Sequence, residues 1–240
     1  MKFLKNNKPV LLNDVIKKKE PILTRWSNDT YLNDKYGNLN MKVAIKRARQ
    51  KQHTTHEMMT FSTFLEDYKH DDWYLSSTIP HEMMEEIPLP EFLQCGSYHD
   101  RLQEAELWMS SGGTASLLHS HEDHTAHCVL FGRKDFIYPH AGVGHSPLDM
   151  DMISVFKFPD ISHTPWNHAT LRQGDCIITP AGYLHQVRSY GRSISFTILF
   201  SPTRDFDSSD CRKLKEKRAK MNETMTLGDV NFVWISKNGQ

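Results

Sequence analysis

Four of the chain's 14 histidines, His119, His121, His124 and His127, fall within nine residues. His119 and His121 stand two apart in the run Ser116-Leu117-Leu118-His119-Ser120-His121. In an extended strand, residues two apart share a face, so this pair reads as the start of a metal site. A third ligand must come from another segment. The best-placed candidate is His185, in Pro180-Ala181-Gly182-Tyr183-Leu184-His185, just beyond a turn that brings a strand sharply inward. Three neutral imidazoles suit zinc, copper, iron or nickel. Three protein ligands with coordination positions left open make a catalytic centre rather than a structural one. Asp123 shares the face of His121 if the strand runs that far, and so offers a carboxylate to the same place.

These residues need strands to hold them. From residue 106 onward the chain breaks into short β-like runs at residues 106–110, 116–121, 126–131, 134–138, 153–158, 176–179, 184–189 and 193–200. Seven or eight short strands at this spacing indicate a sandwich or barrel. Polar segments at 139–151 and 159–167 are the loops that would rim a site. The first hundred residues read differently. Residues 8–12 and 42–45 form short strands, and a helix over 30–37 is capped by Asn28 or Asp29 and stopped at Gly37. Phe61, Phe64, Leu65 and Tyr68 recur at i, i+3, i+4 and i+7, which predicts a core-packed helix with Thr60 as cap. A strand follows at 72–75 and a weak helix at 82–86. Residues 46–51 hold four basic side chains, which read as a solvated face. After residue 203 come an exposed helix over 210–220 and a final apolar stretch at 230–235. That stretch packs on the domain or on a second subunit.

Composition narrows the function classes. The 240 residues make one generous domain, and Lys plus Arg equals Asp plus Glu at 29 each. No basic field therefore points to nucleic acid as an obligate partner. No apolar run approaches the roughly 18 residues of a membrane span. The N-terminus lacks the apolar core of a secretory signal, which indicates a cytoplasmic or nuclear protein. Cys95, Cys128, Cys176 and Cys211 are scattered with no C-x-x-C. They read as free, largely buried thiols in a reducing compartment.

Two motifs carry a resemblance. Gly174-Asp175 through Pro180-Ala181-Gly182 to His185 resembles the second cupin motif, and Gly113, His119-Ser120-His121 and Gly132 resemble the first. The nearer likeness is to the JmjC family of iron(II) and 2-oxoglutarate-dependent oxygenases. It rests on Ser116 to His121, on Gly132-Arg133-Lys134, and on Gly174-Asp175 through His185-Gln186-Val187, with looser likenesses at Asn7-Lys8-Pro9-Val10 and Phe61-Ser62-Thr63-Phe64-Leu65. The resemblance implies a mainly β fold, a double-stranded β-helix (a cupin or jelly-roll barrel) with surrounding helices. It implies a single domain over 1–202, with the barrel core at about 105–201, and a C-terminal appendage at 203–240.

Carried over by position, the resemblance makes His119 and His185 metal ligands. Lys134 becomes the cation for the far carboxylate of 2-oxoglutarate, with Ser116 and Thr125 as further contacts and His127 and Trp108 lining the pocket. Its consequential departure is at His121, which stands where the family has a carboxylate ligand; Ser116 replaces a family threonine, and Thr125 stands where the first cupin motif usually has a glutamate. Three outcomes stay open. The site works with three histidines, Asp123 or Glu122 supplies the carboxylate, or the chain is a degenerate cupin that binds metal or protein. The first implies a hydroxylase using Fe(II), 2-oxoglutarate and dioxygen on a protein or small-molecule substrate, with zinc or another divalent metal as the alternative occupant. A three-histidine dioxygenase that does not use 2-oxoglutarate is a further alternative.

Overall fold

The computed structural model describes residues 6–45, 55–70, 73–116, 118–139, 165–221 and 224–233. The basic run at 46–51, the strand read at 153–158, nearly all of the two rim loops and the last part of the apolar tail lie outside them.

Among the described residues, twelve strands form two antiparallel sheets. The strands are β1 (Val10–Leu12), β2 (Asn40–Ile45), β3 (Thr55–Thr60), β4 (Tyr74–Thr78), β5 (Leu102–Ser110), β6 (Thr114–Ala115), β7 (His124–Phe131), β8 (Arg133–Pro139), β9 (Trp166–Arg172), β10 (Cys176–Thr179), β11 (Gln186–Ser189) and β12 (Ser193–Phe200). The large sheet runs β1-β10-β7-β12-β5-β4-β2-β3, and the small one β6-β11-β8-β9. Such a pair of sheets with helices outside is the jelly-roll architecture expected from the sequence.

Strand alternation decides where the two faces of the large sheet go. On β12, Ile194, Phe196, Ile198 and Phe200 join the main apolar core, as do Ala126, Cys128 and Leu130 on β7 and Cys176 and Ile178 on β10. The helices cover this outer face. They are α1 (Pro21–Arg25), α2 (Asp29–Tyr36) and α3 (Phe61–Asp67), which contribute Ile22, Leu23, Leu32, Tyr36, Phe61, Phe64 and Leu65. Both predicted caps form: Asn28 Oδ1 accepts the Thr30 N–H and Thr60 Oγ1 the Thr63 N–H. A one-turn helix, α4 (His81–Met84), stands where the weak helix was read.

The alternate residues point between the sheets. There, Val129 and Ile177 from the large sheet meet Phe136 and Tyr138 of β8 and Leu171 of β9 in a small apolar cluster. The rest of this inner face is polar yet buried: Thr125, His127, Lys134, Thr179, Ser193, Ser195 and Thr197. Placing the apolar side chains outside against helices and the polar ones inside leaves a polar-lined barrel interior. Tight hairpins close it. Gly132, between β7 and β8, has φ +80°, and a Cβ there would clash with Arg192 O.

Two expectations change and a third is narrowed. The strand read over 116–121 is not continuous. β6 ends at Ala115, and the Ser116 side chain, through Oγ, takes the Val187 N–H at 2.9 Å, so the ladder is interrupted before the lone bridge between His119 and His185. The cysteines are not free thiols: Cys95 pairs with Cys211 and Cys128 with Cys176. Cys128 and Cys176 face each other across β7 and β10, a register that a separation of 48 residues conceals. Cysteine usage therefore no longer argues for a reducing compartment. The described part of the tail, including α5 (Cys211–Met221), packs on its own chain. Lys215 pairs with Glu91, Arg218 reaches Gln94, Thr226 bridges Pro88, and Leu227 and Phe232 enter the main core. No helix among the described residues is long and apolar enough to cross a membrane.

Candidate metal centre

His119 and His185 meet because their backbones pair. His119 N–H donates to His185 O at 3.0 Å and His185 N–H to His119 O at 2.8 Å. His119 precedes β7 and His185 precedes β11, so the bridge ties the mouths of the two sheets together. His121 joins them through its carbonyl, which accepts the Gly182 N–H at 2.8 Å. Ring centroids are 4.4 Å apart for His119 and His185, 5.0 Å for His119 and His121, and 5.5 Å for His121 and His185. One nitrogen from each ring lies within 4.8 Å of the others. His185 is buried, while His119 and His121 are half-buried, so the centre is backed by protein and open on one side.

Two of the three imidazoles are held neutral, the ligating form. Burial, reinforced by the neighbouring His119, lowers His121 to about 4 and His185 to about 3. His185 Nδ1 lies 3.0 Å from Tyr183 O. A carbonyl only accepts, so Nδ1 carries the proton and Nε2 is left with its lone pair for a metal. His124, which the sequence left without a role, is an organiser of this end. Its Nδ1 accepts the Ala181 N–H at 2.9 Å and so anchors the turn that delivers His185.

Asp123 does not join the trio. Its Oδ1 accepts the Ser201 hydroxyl at 2.9 Å, and no carboxylate belongs to the described ligand group. The physical reason is that the chain between His121 and β7 is a bend, not a strand, so the assumed alternation does not apply.

Deeper in the barrel lies Lys134, with no exposed surface. Its ammonium donates to Tyr74 Oη at 3.0 Å and stands over the Tyr74 and Trp108 rings at 5.3 and 6.0 Å. Trp108 donates its indole N–H to Thr197 Oγ1 at 2.9 Å. Thr125 is buried on β7 opposite Thr179 of β10. Ser116 is half-buried, and its hydroxyl oxygen is engaged by Val187 N–H. His127 is buried on the same face of β7 as Thr125, with Nδ1 2.8 Å from Thr197 Oγ1.

Sequence reasoning missed Tyr74 and Thr197. Tyr74 sits on a strand with no spacing relation to the histidines, so nothing local marked it. Thr197 did leave a signal: Ser193, Ser195 and Thr197 alternate with Ile194, Phe196 and Ile198, which already describes a strand with a polar inner face. His127 Nε2, Ser193 Oγ and Ser195 Oγ are buried without a hydrogen-bond partner among the described residues. Orphaned polar atoms of this kind belong in a cavity that a polar ligand or water fills.

The sequence matches the family described as cupin-like domain over residues 1–206. It is similar to "Lysine-specific demethylase JMJ30" of Arabidopsis thaliana, at 25% identity over 79% of this chain and 49% of that protein. It is also similar to "Lysine-specific demethylase 8" of Danio rerio, at 25% identity over 82% and 54%. The "Jumonji C domain-containing protein 5" of Drosophila melanogaster matches at 23% identity over 81% and 55%. The chain spans about half the length of these curated relatives. With the two-sheet barrel and the histidines at its mouth, the match over most of its length means that this chain belongs to the cupin-like domain family, in its JmjC branch.

Proposed function

We propose that the chain is a metal-dependent 2-oxoglutarate oxygenase of JmjC type, with His119, His121 and His185 as the metal ligands. The observation that carries the reading is the pairing of two features in one barrel. Three imidazoles converge at the mouth, and a fully buried ammonium, Lys134, lies inside. The donor set suits iron(II), with zinc as the competing occupant. The buried polar interior suits a ligand with carboxylates at both ends. Lys134 lies opposite Ser189, four residues along the chain from His185. That is roughly 13 Å of backbone, and in this reading a five-carbon diacid held at the metal reaches from the histidines toward the Lys134 ammonium.

In this reading the metal, when bound with 2-oxoglutarate and dioxygen, supplies oxidation of a C–H bond. The protein's part is to hold and orient. Tyr183 O fixes the His185 ring through Nδ1–H, and His124 holds the Ala181 turn behind it. Lys134, steadied by Tyr74, receives the far carboxylate, with Ser116 and Thr125 completing the pocket wall. Phe136, Tyr138 and Ile177 exclude water from the barrel side. The product is a hydroxylated substrate. The relatives' names also fit this chemistry, because hydroxylating an N-methyl group gives a carbinolamine that releases formaldehyde. The substrate is a protein residue or a small molecule. The catalytic unit corresponds to residues 1–202, and the tail serves as a brace.

His121 distinguishes this site from a two-histidine, one-carboxylate triad. Asp123 is engaged by Ser201, which supports a working or residual three-histidine centre over a carboxylate borrowed from nearby. The deciding experiment incubates iron-loaded protein with 2-oxoglutarate and measures succinate. Succinate formation that requires His185 supports the oxygenase. A protein that takes up no metal, and shows no thermal shift with iron(II) or 2-oxoglutarate, is instead a degenerate cupin serving as a binding module.

A further inference from the structure

Below the histidine trio, His127 is held on one side only. Its Nδ1 lies 2.8 Å from Thr197 Oγ1, and its Nε2 is buried with no hydrogen-bond partner among the described residues. Thr197 Oγ1 also accepts the Trp108 indole N–H at 2.9 Å. An indole nitrogen only donates, so one lone pair of the hydroxyl is used and its proton is still to be placed. His127 Nδ1 is the acceptor within reach. Were Nδ1 to carry the imidazole proton, the buried hydroxyl proton would have no acceptor among the described residues, and buried polar groups rarely tolerate that. The order Trp108 Nε1–H, Thr197 Oγ1–H, His127 Nδ1 therefore assigns the single imidazole proton to Nε2.

The position of that N–H is informative. Burial first, then the fields of Lys134, His185 and His121, keep His127 neutral, well below the usual histidine range. The ring is thus within the electrostatic reach of both the buried lysine and two of the trio, and Phe136 packs against it at 5.0 Å. A histidine retained for packing alone gains nothing from an orphaned N–H in a buried wall, because it loses the hydration of that group.

We propose that His127 is a second donor for the far carboxylate of the bound 2-oxo acid, its Nε2–H sharing that carboxylate with the Lys134 ammonium. The inference rests on the oxygenase reading above and extends it by one specificity-determining residue. A monocarboxylic 2-oxo acid would leave the His127 donor unanswered, so this residue favours dicarboxylates.

The test uses the full chain loaded with manganese(II), titrated calorimetrically with two probes. One is 2-oxoglutarate. The other is the 2-oxo acid of the same carbon length without the far carboxylate. His127→Leu keeps similar volume and removes the donor. It is expected to weaken 2-oxoglutarate roughly tenfold, the range of a hydrogen bond to a charged group, and to leave the monocarboxylate unchanged. Thr197→Val frees the imidazole to switch tautomer and is expected to weaken 2-oxoglutarate by a smaller factor. Nitrogen-15 spectra of the unsubstituted protein should show the His127 proton on Nε2. If the unsubstituted protein binds 2-oxoglutarate and His127→Leu binds it equally well, this proposal is overturned and the oxygenase reading stands. Equal weakening of both probes also overturns it. If the unsubstituted protein binds neither probe, both fall. Should His127→Leu fail to fold, Thr197→Val and the nitrogen-15 spectrum decide, and a proton found on Nδ1 sinks the proposal.

Discussion

His119 and His185 exchange both of their backbone hydrogen bonds, at 3.0 and 2.8 Å, and their rings sit 4.4 Å apart. The pairing is made by main chain, so it survives loss of either imidazole. His119→Ala and His185→Ala should therefore fold with near-normal melting temperatures and yet lose metal binding, read by calorimetry with iron(II) or zinc. His121→Asp should retain metal, because it places a carboxylate where the trio already converges. A collapse of His185→Ala to an unfolded state would mean that the ring, not the bridge, organises the mouth.

Lys134 and Tyr74 form the inner anchor, with Nζ donating to Oη at 3.0 Å. Lys134→Met preserves the buried stem and removes the charge. It should lower 2-oxoglutarate affinity by roughly ten- to a hundredfold, the value of a charge-assisted bond or two. Tyr74→Phe should cost less, at most about tenfold, because the ammonium has further donors. Binding titrations on metal-loaded protein give both numbers. Identical affinity for Lys134→Met and the unsubstituted chain would remove Lys134 from the pocket.

Acid should loosen the N-terminal lobe before the barrel. Glu86 gathers Trp26 Nε1–H at 2.8 Å, the Tyr31 hydroxyl, the Lys35 ammonium and Arg25. Burial alone would raise its pKa, but these donors, Lys35 foremost, hold it at about 2 against an ordinary 4.5. The folded pKa lies below the unfolded one, so the stabilisation is present above about 4.5 and is lost as the pH falls toward about 2. Urea midpoints measured across that window should fall, and Glu86→Gln should flatten the fall. A midpoint that does not change with pH there would contradict the hub.

The two disulfides should respond unequally to reductant. Cys128 and Cys176 are fully buried between the large sheet and its helices, whereas Cys95 and Cys211 are half-buried. Alkylation followed by mass measurement should label Cys95 and Cys211 first. Cys95→Ser should destabilise the chain by about 2–4 kcal/mol, the usual contribution of a long-loop bridge. Hydrogen exchange should rise mainly in the α5 helix that Cys211 begins. Early labelling of Cys128 would show instead that the barrel opens before the tail.

The sequence by itself determined the local features. The 3.6-residue stripe at Phe61, Phe64, Leu65 and Tyr68 and the cap at Thr60 are local physics, and both formed as expected. The short alternating runs after residue 106 indicated the barrel, and two spaced motifs named the three histidines before any geometry was known. What failed was long-range. Nothing near Cys128 predicts that β10 will place Cys176 opposite it, and nothing near Lys134 points to Tyr74, 60 residues earlier. The condition set for Asp123, a strand that runs on past His121, is not met, because there the chain bends. Only the tertiary structure decided that Ser201 takes the Asp123 carboxylate, that Thr197 holds one face of His127, and that three imidazoles meet at one mouth. These are contacts between segments, set by sheet register, and register depends on how the strands of both sheets pack at once.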